Sequence, residues 1–463
     1  MSLPLDFIQL MHRQFGEHRA EALCQALQDT EPEVSVRVNP HKVLPSFSLP
    51  SALEPVPWCS HAYYLPQRPS FTFDPLLHAG TYYVQDASSM FLSHALQQHL
   101  HALPDTESPV ALDLCAAPGG KSTLLRTLLP NDAFLLCNEP IAKRTQILVE
   151  NMAKWGHPNV AVSRNYPADF TSLTHTFDLI VADVPCSGEG MFRKDEGAIS
   201  EWSLQNVDLC QRRQRDILAS VWPSLKPGGL LVYSTCTFNH IEDEDNVRWF
   251  ADTHGAEIFT VDVPEEWGIV SLEAGYHFLP GMVRGEGFFL AVLRKSAAEP
   301  FTPCRLKSEK AVKNRASVPR LPKEMQQVLD GDFFFACDTD TCHALPEQHL
   351  QLIHLFERHL SLLSKGVLVA RLKGRDWQLA HPLSLCISLN ADAFPRVALT
   401  YDEALAYLRH ESLCLQAPRG IVLLTYRDVP LGFAKNLGNR ANNLYPAEWR
   451  IRSTHTLPYE FFQ

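Results

Sequence analysis

The sequence lacks any apolar run long enough for a membrane-spanning helix. Such a helix needs roughly 18–20 consecutive apolar residues, and no segment of the 463-residue chain approaches that length. The N-terminus also lacks the basic stretch, apolar run and small-residue cleavage site of a secretory signal. We therefore expect a cytoplasmic protein that has no membrane partner.

Cysteine pairs with metal-ligand spacing are also missing. The 12 cysteines include no Cys-x-x-Cys motif, and Cys337 and Cys342 are the closest two. In a large cytosolic chain this pattern is typical of free thiols, so we expect neither disulfide bonds nor a bound metal. The formal net charge of −11 gives no global sign of nucleic-acid binding, although a local basic patch would be enough for it.

The chain has no internal repeat, and its composition, with 45% hydrophobic and 20% charged residues, is in the globular range. At roughly 100–200 residues per domain, we expect several domains. The N-terminal part predicts a helix over Phe7–Leu27 and a strand over Val34–Val38. Composition and pattern divide the chain into a small α+β module at 1–78, a central domain at 79–295, a basic linker at 296–323, a mixed α/β module at 324–395 and a β-rich module at 400–463.

In the central domain, short apolar runs alternate with amphipathic stretches, which indicates βαβ units and a mostly parallel sheet. The predicted helices are 122–129, 141–155 and 204–225, and the predicted strands are 110–114, 134–137, 160–163, 177–182, 230–233 and a closing strand at 287–293. Ligands bind such a sheet at the carboxyl ends of its strands. Polar and reactive residues follow five of these strands: Cys115, Glu139, Asn165, Asp183 and Ser234–Cys236.

A glycine-rich segment, Leu112–Ser122, follows the first of these strands and opens a helix, where free backbone N–H groups favour an anionic ligand. A phosphate-binding P-loop, as in a nucleotidase, would need glycine at position 115, which is Cys115, and the dinucleotide motif G-x-G-x-x-G is absent. The loop suits a smaller group, such as the methionine carboxylate of S-adenosylmethionine. Glu139, after the next strand, is placed to bind ribose hydroxyls. The structural alternative is a plain turn with a surface acid.

Two cysteines, Cys186 and Cys236, leave strand ends at the same edge as Asp183. A buried cysteine is usually a small hydrophobic residue. However, methylation at cytosine C5 needs a thiolate that adds at C6, an acid near N3 and a base that takes the C5 proton. Asp183 fits the N3 role if it holds a proton, and its alternative is a structural turn acid.

The central motifs resemble the Sun/Nop family of RNA cytosine-C5 methyltransferases, and within it the bacterial RsmF-type enzymes of small-subunit (16S) ribosomal RNA. The matching segments are YYVQDASSM (82–90), DLCAAPGGK (113–121), DVPCSGEG (183–190), YSTCTFNHIEDEDN (233–246) and GEGFFLAVLRK (285–295). The resemblance implies a Rossmann-like class I methyltransferase fold, with a seven-stranded, mostly parallel sheet that has one antiparallel edge. It also implies that S-adenosylmethionine is the cofactor and that RNA is the partner of a monomeric enzyme.

The resemblance also implies roles for single residues. Cys236, in the Thr-Cys motif, is the expected nucleophile, and Cys186, in the Pro-Cys motif, is expected to assist release. DNA cytosine methyltransferases use the Pro-Cys cysteine as nucleophile instead. An acidic contact of the family falls near Asn165, where this chain has an amide unless the alignment shifts to Asp169. The expected cofactor contacts are Cys115, Ala116, Ala117, Pro118, Gly119, Gly120, Lys121, Glu139, Asn165 and Asp183.

The segment 429–451 looks like the PUA-like domain of RsmF-type enzymes, which implies RNA binding by residues 400–463. We expect the module at 1–78 to help to position the RNA. The linker has seven basic residues and one acidic residue between Pro303 and Lys323, so it could touch RNA or be a plain solvated segment. Two other functions remain open: a transfer-RNA cytosine-C5 methyltransferase, and a non-catalytic RNA-binding factor of ribosome assembly.

Overall fold

The structure is a computed structural model that describes residues 2–50, 53–105, 107–302, 304, 321–453 and 458–462. In the predicted basic linker, residue 303 and residues 305–320 lie outside the described residues. Within the described ranges, no helix is both long and apolar enough to cross a membrane.

The N-terminal unit contains a helical hairpin and an antiparallel sheet in the order β2 (Glu54–Pro55), β3 (Ala62–Leu65), β1 (Val34–Val38) and β4 (Tyr82–Val84). The predicted single helix over Phe7–Leu27 is wrong, because Gly16, at φ 76°, ends one helix and precedes the next. The predicted strand at Val34–Val38 is confirmed. The elements are α1 (Leu5–Phe15), α2 (Glu17–Asp29), β1 (Val34–Val38), β2 (Glu54–Pro55), β3 (Ala62–Leu65), α3 (Pro75–His78) and β4 (Tyr82–Val84).

The central segment alternates strands and helices, as the sequence predicts. Its elements are α4 (Leu92–His99), β5 (Val110–Asp113), α5 (Gly120–Leu128), β6 (Phe134–Asn138), α6 (Ala142–Trp155), β7 (Val160–Ser163), β8 (Phe177–Asp183), α7 (Glu196–Glu201), α8 (Leu204–Val221), β9 (Leu225–Thr235), α9 (Glu244–His254), β10 (Glu257–Phe259), β11 (Val270–Leu272), β12 (Gly275–Phe278) and β13 (Phe288–Arg294).

The C-terminal segment is richer in strands. Its elements are β14 (Phe333–Cys337), β15 (Thr341–Pro346), α10 (Leu350–His359), β16 (Leu362–Lys365), β17 (Val367–Lys373), β18 (Asp376–Leu379), α11 (His381–Ser384), β19 (Arg396–Ala398), α12 (Tyr401–Leu408), β20 (Gly420–Tyr426), β21 (Val429–Asn436) and β22 (Ala441–Asn443). All of these strands except β16 form two further sheets, in the orders β14-β15-β17-β18 and β19-β20-β21-β22.

The central sheet has ten strands rather than the seven expected. Its path is β11-β12-β13-β9-β8-β5-β6-β7-β16, with β10 paired to β13. Five neighbouring strands of this path, β9, β8, β5, β6 and β7, run parallel to one another. Antiparallel strands lie at both edges, not at one, because β13 pairs with β9 and β16 pairs with β7. β16 comes from the segment after the linker, and such long-range pairing leaves no local sequence signal.

Both faces of the central sheet are buried, which explains why its strands are near-continuous apolar runs. In β8, Leu179 and Val181 belong to the core on one face, whereas Ile180 and Ala182 belong to the core on the other. Because helices and loops cover both faces, the carboxyl edge of the parallel strands is left as the place for a ligand site.

A third core joins the two ends of the chain. Val36 and Phe71 of the N-terminal unit pack in one cluster with Leu424 and Phe462 from the C-terminal region. The rings of Tyr82 and Phe461 lie 4.8 Å apart, centroid to centroid. The N-terminal sheet and the C-terminal sheet therefore stabilise each other through shared apolar burial.

The expectation that the cysteines are all free thiols is wrong for one pair. Cys337 and Cys342 form a disulfide with their Cα atoms 4.0 Å apart. They are direct partners in the β14–β15 hairpin, and this register brings the two side chains together. The other ten cysteines are free in the structure.

Candidate active site

The five strand-end residues expected at one edge do lie along the carboxyl edge of the central sheet. In spatial order along that edge they are Asn165, Glu139, Cys115, Asp183 and Cys236, which follow or end β7, β6, β5, β8 and β9. The chain order reverses between β5 and β8, since the strands run on from β5 to β7 on one side and from β8 to β9 on the other. Such a reversal opens a crevice where ligands bind in open α/β sheets.

A cavity of about 220 Å³ lies at this reversal. α5 begins beside it, and the first N–H groups of a helix have no partner within the helix. Gly119, expected at this site, is not among the lining residues, although its neighbours are. The cavity is lined by Tyr83, Val84, Gln85, Asp86, Ser89, Cys115, Ala116, Ala117, Pro118, Gly120, Lys121 and Asp183.

The sequence pattern did not predict the part of this lining that lies between residues 83 and 89. These residues belong to a motif that carried the family resemblance, but no chemistry was apparent in it. Buried Arg37 on β1 explains how they reach the site. Its guanidinium donates to Gln85 Oε1 at 3.1 Å, to the Gly120 carbonyl at 3.2 Å and to Thr123 Oγ1 at 2.6 Å. The N-terminal sheet is therefore fastened directly to the start of α5, and burial lowers the pKa of Arg37 to about 10.

Glu139 lies on the strand next to the cavity and is almost fully buried. Its carboxylate accepts from the Ile141 N–H at 2.9 Å and lies 3.2 Å from Arg144 Nη1. Arg144 in turn donates to the Ala117 carbonyl at 2.8 Å. Glu139 therefore connects to the glycine-rich loop through Arg144 and is not one of the cavity-lining residues.

Asn165 is further from the cavity and is engaged elsewhere. Its Nδ2 donates to Asp169 Oδ2 at 2.9 Å, and its Oδ1 accepts from the Ser361 N–H at 2.8 Å. The two residues between which the sequence alignment was ambiguous are thus hydrogen-bonded to each other. Neither of them lines the cavity.

Cys186 and Cys236 face each other across the ends of β8 and β9, with their sulfur atoms 2.8 Å apart. The hydrogen bond to Cys236, together with burial, raises the pKa of the Cys186 thiol well above its usual range. At this distance either thiol could donate the hydrogen bond, and the two sulfur atoms are close enough to act on the same base.

Asp183 ends β8 between the cavity and the cysteines. Its Oδ2 lies 2.9 Å from Lys121 Nζ, and its Oδ1 accepts from Ser234 Oγ at 2.8 Å. Burial alone would lower the pKa of Lys121, but the negative charges of Asp183, Asp113 and Cys236 raise it. Lys121 therefore lies as a cation against the Asp183 side chain, within electrostatic range of Cys236.

A buried carboxyl cluster behind the cysteines was also missed, because a run of acidic residues usually indicates a solvated surface. Asp243 Oδ1 accepts from Thr235 Oγ1 at 2.6 Å and from Thr237 Oγ1 at 3.1 Å, and these two threonines flank Cys236. Burial raises the pKa of Asp243 well above its usual value. Glu189 and Glu242 are also buried, and their charges contribute to raising the pKa of Asp243.

Sequence comparison finds three matching family profiles. Residues 3–87 match the N-terminal domain of 16S rRNA methyltransferase RsmF, residues 100–294 match 16S rRNA methyltransferase RsmB/F, and residues 394–451 match the RsmF PUA domain.

Curated relatives named ribosomal RNA small subunit methyltransferase F match most of the chain. The relative from Cronobacter sakazakii is 31% identical over 448 residues, which are 89% of each protein. The relative from Citrobacter koseri is 32% identical over 451 residues, again 89% of each.

Among solved structures, a methyltransferase homologue protein from Pyrococcus horikoshii is 26% identical, with a TM-score of 0.50. The match covers 63% of this chain and 100% of that protein. NSun6 from Pyrococcus horikoshii with SFG has a TM-score of 0.52 at 18% identity, covering 64% of this chain and 99% of that one, which is a likeness of fold.

Proposed function

This chain belongs to the ribosomal RNA small subunit methyltransferase F family, and from that premise we propose that it methylates C5 of a cytosine in 16S ribosomal RNA. The observation that carries the proposal is the pair of cysteines, Cys186 and Cys236, at neighbouring strand ends beside Asp183 and the cavity. The cofactor is S-adenosylmethionine, whose sulfonium supplies an electrophilic methyl group.

The residues around the cavity fit this cofactor. The start of α5 offers free N–H groups to a carboxylate, and Lys121 adds a positive charge at the same place. Glu139, at the next strand end, can reach ribose hydroxyls if its carboxylate exchanges the Ile141 N–H or Arg144 for them. We assign the loop 115–121, Glu139 and Asp183 to this site, and Asn165 only to its outer edge.

We propose Cys236 as the nucleophile. Its thiolate forms a bond to C6 of the cytosine, and the ring electrons that this addition displaces build charge towards N3. Lys121 and Asp183 form an ion pair at the neighbouring strand end, and Lys121 is within electrostatic range of Cys236, so we propose that this pair offsets the charge. Either the cation offsets it directly, or Asp183 takes up a proton when the RNA separates it from Lys121.

We propose Cys186 as the group that completes the reaction. After C5 takes the methyl group, its proton must leave before the C6–sulfur bond to Cys236 can break. Once Cys236 is bonded to carbon, its interaction with Cys186 no longer raises the pKa of that thiol. Cys186 can then lose its proton to solvent and accept the C5 proton.

The outer modules would position the RNA. We propose this role for residues 1–78 and 400–463, around a catalytic domain at 79–295 and a supporting module at 324–395. The contacts of Arg37 with α5 and the core shared by both ends of the chain support a common RNA-facing unit. We also propose a cytoplasmic location, which a ribosomal RNA substrate supports.

The proposal is tested by bisulfite sequencing of total RNA from cells with and without the gene. We expect at least one 16S rRNA cytosine to lose its protection when the gene is deleted. If a transfer-RNA cytosine loses its protection instead, the substrate is transfer RNA and the proposed chemistry still holds. If no cytosine changes, and the purified protein transfers no labelled methyl group to RNA, the chain is a binding factor and the proposal fails.

A further inference from the structure

Two buried glutamates connect the segments that follow the two cysteines. Glu189 follows Cys186 on one segment, and Glu242 follows Cys236 on the other. Both side chains are fully buried, at 0% exposure, so neither can touch RNA or cofactor. The reaction described above uses neither of them.

Glu189 holds the segment that carries Cys236. Its Oε2 accepts from the backbone N–H groups of Phe238 at 2.7 Å and Asn239 at 3.1 Å. Its Oε1 accepts from Asn239 Nδ2 at 2.8 Å and from Trp202 Nε1 at 2.9 Å. Three of these four donors therefore belong to the segment after Cys236.

Glu242 makes the reverse connection. Its Oε2 accepts from the N–H of Ser187, the residue after Cys186, at 3.0 Å and from Gln214 Nε2 at 2.7 Å. Its Oε1 accepts from Asn239 Nδ2 at 2.9 Å, so Asn239 bonds to both glutamates. We refer to Glu189, Asn239 and Glu242 as the carboxylate brace.

The brace lies next to a direct contact between the two segments. The Gly190 N–H donates to the Cys236 carbonyl at 2.8 Å. A Cβ atom added to Gly190 would lie 2.6 Å from the Gly287 carbonyl oxygen and 3.0 Å from that of Cys236. The two cysteine segments therefore approach as closely as a glycine permits, and the brace fixes this approach from both sides.

We propose that the carboxylate brace sets the separation of the two sulfur atoms, with Glu189 as the positioning residue for the release step. The inference rests on the proposed function, because it assigns the brace to a step of that reaction. Release needs Cys186 close to C5 while Cys236 is bonded to the adjacent C6, and this geometry depends on the two segments staying together.

The chemistry of the brace explains why carboxylates are used. Each of its four carboxylate oxygens accepts at least one N–H, and a carboxylate has no hydrogen of its own to oppose these donors. Burial, and to a lesser degree the charge of Glu242, raises the pKa of Glu189 to about 7, so Glu189 is mainly ionised above that pH. Retaining such a group in the interior is unfavourable without these donors.

Glu189→Gln tests the inference at nearly constant volume. In glutamine an NH₂ group replaces one of the two carboxylate oxygens. The two N–H groups that donated to that oxygen then face another donor, and the segment that carries Cys236 must move. We expect kcat to fall on the order of 100-fold, while the KM for RNA and the affinity for S-adenosylmethionine stay within about twofold. Addition should still occur, so a covalent protein–RNA band should persist on a denaturing gel. The control is Glu201→Gln, the same change at an exposed site on nearby α7, which should behave as wild type.

A second readout needs neither RNA nor cofactor. Diamide takes up two hydrogens from two thiols as they form a disulfide, and peptide mapping measures how fast the Cys186–Cys236 disulfide forms. We expect rapid formation in the wild type, because the sulfur atoms lie 2.8 Å apart, and at least about tenfold slower formation in Glu189→Gln. Glu242→Gln alters the same brace from the opposite segment and replaces Glu189→Gln if that variant does not fold.

The results separate the possible failures. Normal kcat in a folded brace variant overturns the inference. Parallel loss of cofactor affinity, RNA affinity and kcat without a persistent band also overturns it, because that pattern indicates a general structural role. A wild-type protein that binds RNA without methylating it refutes the proposed function instead. The diamide rate alone then decides whether the brace sets the sulfur separation.

Discussion

At the scale of single residues, Glu139 is the sharpest test of the cofactor site. Its buried carboxylate lies at the strand end beside the glycine-rich loop, to which Arg144 connects it. Glu139→Ala should weaken S-adenosylmethionine binding by about 1.5–3 kcal/mol, the usual value of a hydrogen bond to a charged group. RNA affinity should change little. Calorimetry that gives unchanged cofactor affinity would remove Glu139 from the site.

Arg37 gives a second residue-scale prediction. Arg37→Met keeps much of the side-chain volume but removes the donors to Gln85, Gly120 and Thr123. We expect a loss of about 3 kcal/mol in the free energy of unfolding, because several buried acceptors lose a charged donor. Arg212→Met, at an exposed position on α8, should change it by no more than about 0.5 kcal/mol. Urea unfolding of both variants provides the comparison, and equal effects would contradict the role of Arg37.

Some of the site residues could be predicted from the sequence, and others could not. Cys186, Cys236 and Asp183 could be found because a strand pattern and a reactive residue type coincide at each. Arg37 and Glu189 carry no such signal. Their partners are distant in the chain, and a lone arginine on a strand or a glutamate in a loop is most often solvated.

At the scale of elements, Gly16 separates two helices that the hydrophobic pattern predicts as one. Its φ of 76° and ψ of 170° are conformations that only glycine adopts readily. Gly16→Ala should therefore cost about 1–3 kcal/mol of stability, although no atom would obstruct the added methyl group. Thermal unfolding measures this loss. A variant as stable as wild type would mean that packing, rather than the glycine, imposes the break.

Low pH should weaken the packing of α3 and α11 against residues 441–451. Burial, with a smaller effect of Lys154, lowers the pKa of both His78 and His381 to about 3. The His381 ring packs 4.9 Å from that of Tyr445, measured between centroids. The pKa of each histidine in the folded state lies below its unfolded value of about 6.5. Their contribution to the free energy of unfolding is therefore fully present above pH 6.5 and is lost as the pH drops.

The expected slope is about 1.4 kcal/mol per pH unit for each histidine. Hydrogen exchange of residues 441–451 at pH 7 and pH 5 should show less protection at the lower pH. His381→Phe should remove about half of this difference. Identical protection at both pH values would mean that these histidines titrate normally.

The central elements were largely predictable, whereas the sheet edges were not. Strands β5 to β9 are apolar runs bounded by helices, and each lies within a few residues of its predicted position. β10 and β11 have only three residues each, too few for a pattern. β16 joins β7 from the far side of the linker, and its place depends on tertiary contacts alone.

At the scale of the whole molecule, the two ends of the chain form one body. The sequence pattern sets residues 400–463 apart as a separate module, but Leu424 and Phe462 share a core with Val36 and Phe71. Deletion of this module should therefore unfold or destabilise the N-terminal sheet as well. A loss of cofactor affinity in the truncated protein would follow from this, since Arg37 and Gln85 belong to that sheet and the chain after it.

Charge reversal is the cleaner test of RNA binding by the C-terminal sheet. Lys435 and Arg440 are exposed on and beside β21. Lys435→Glu and Arg440→Glu should each raise the KM for RNA and lower the salt dependence of binding by about one released ion. Cofactor affinity is the internal control and should not change. Unaltered salt dependence in both variants would assign this sheet some other role.

In the proposed mechanism, Cys236 attacks the base and Cys186 completes its release. The direct measurement is a denaturing gel of labelled substrate RNA incubated with S-adenosylmethionine and each cysteine variant. Cys236→Ala should give neither methylation nor a protein–RNA band. Cys186→Ala should give a slow-migrating, protease-sensitive band, and the double variant should lose it. A band with Cys236→Ala instead would reverse the two roles and contradict the account.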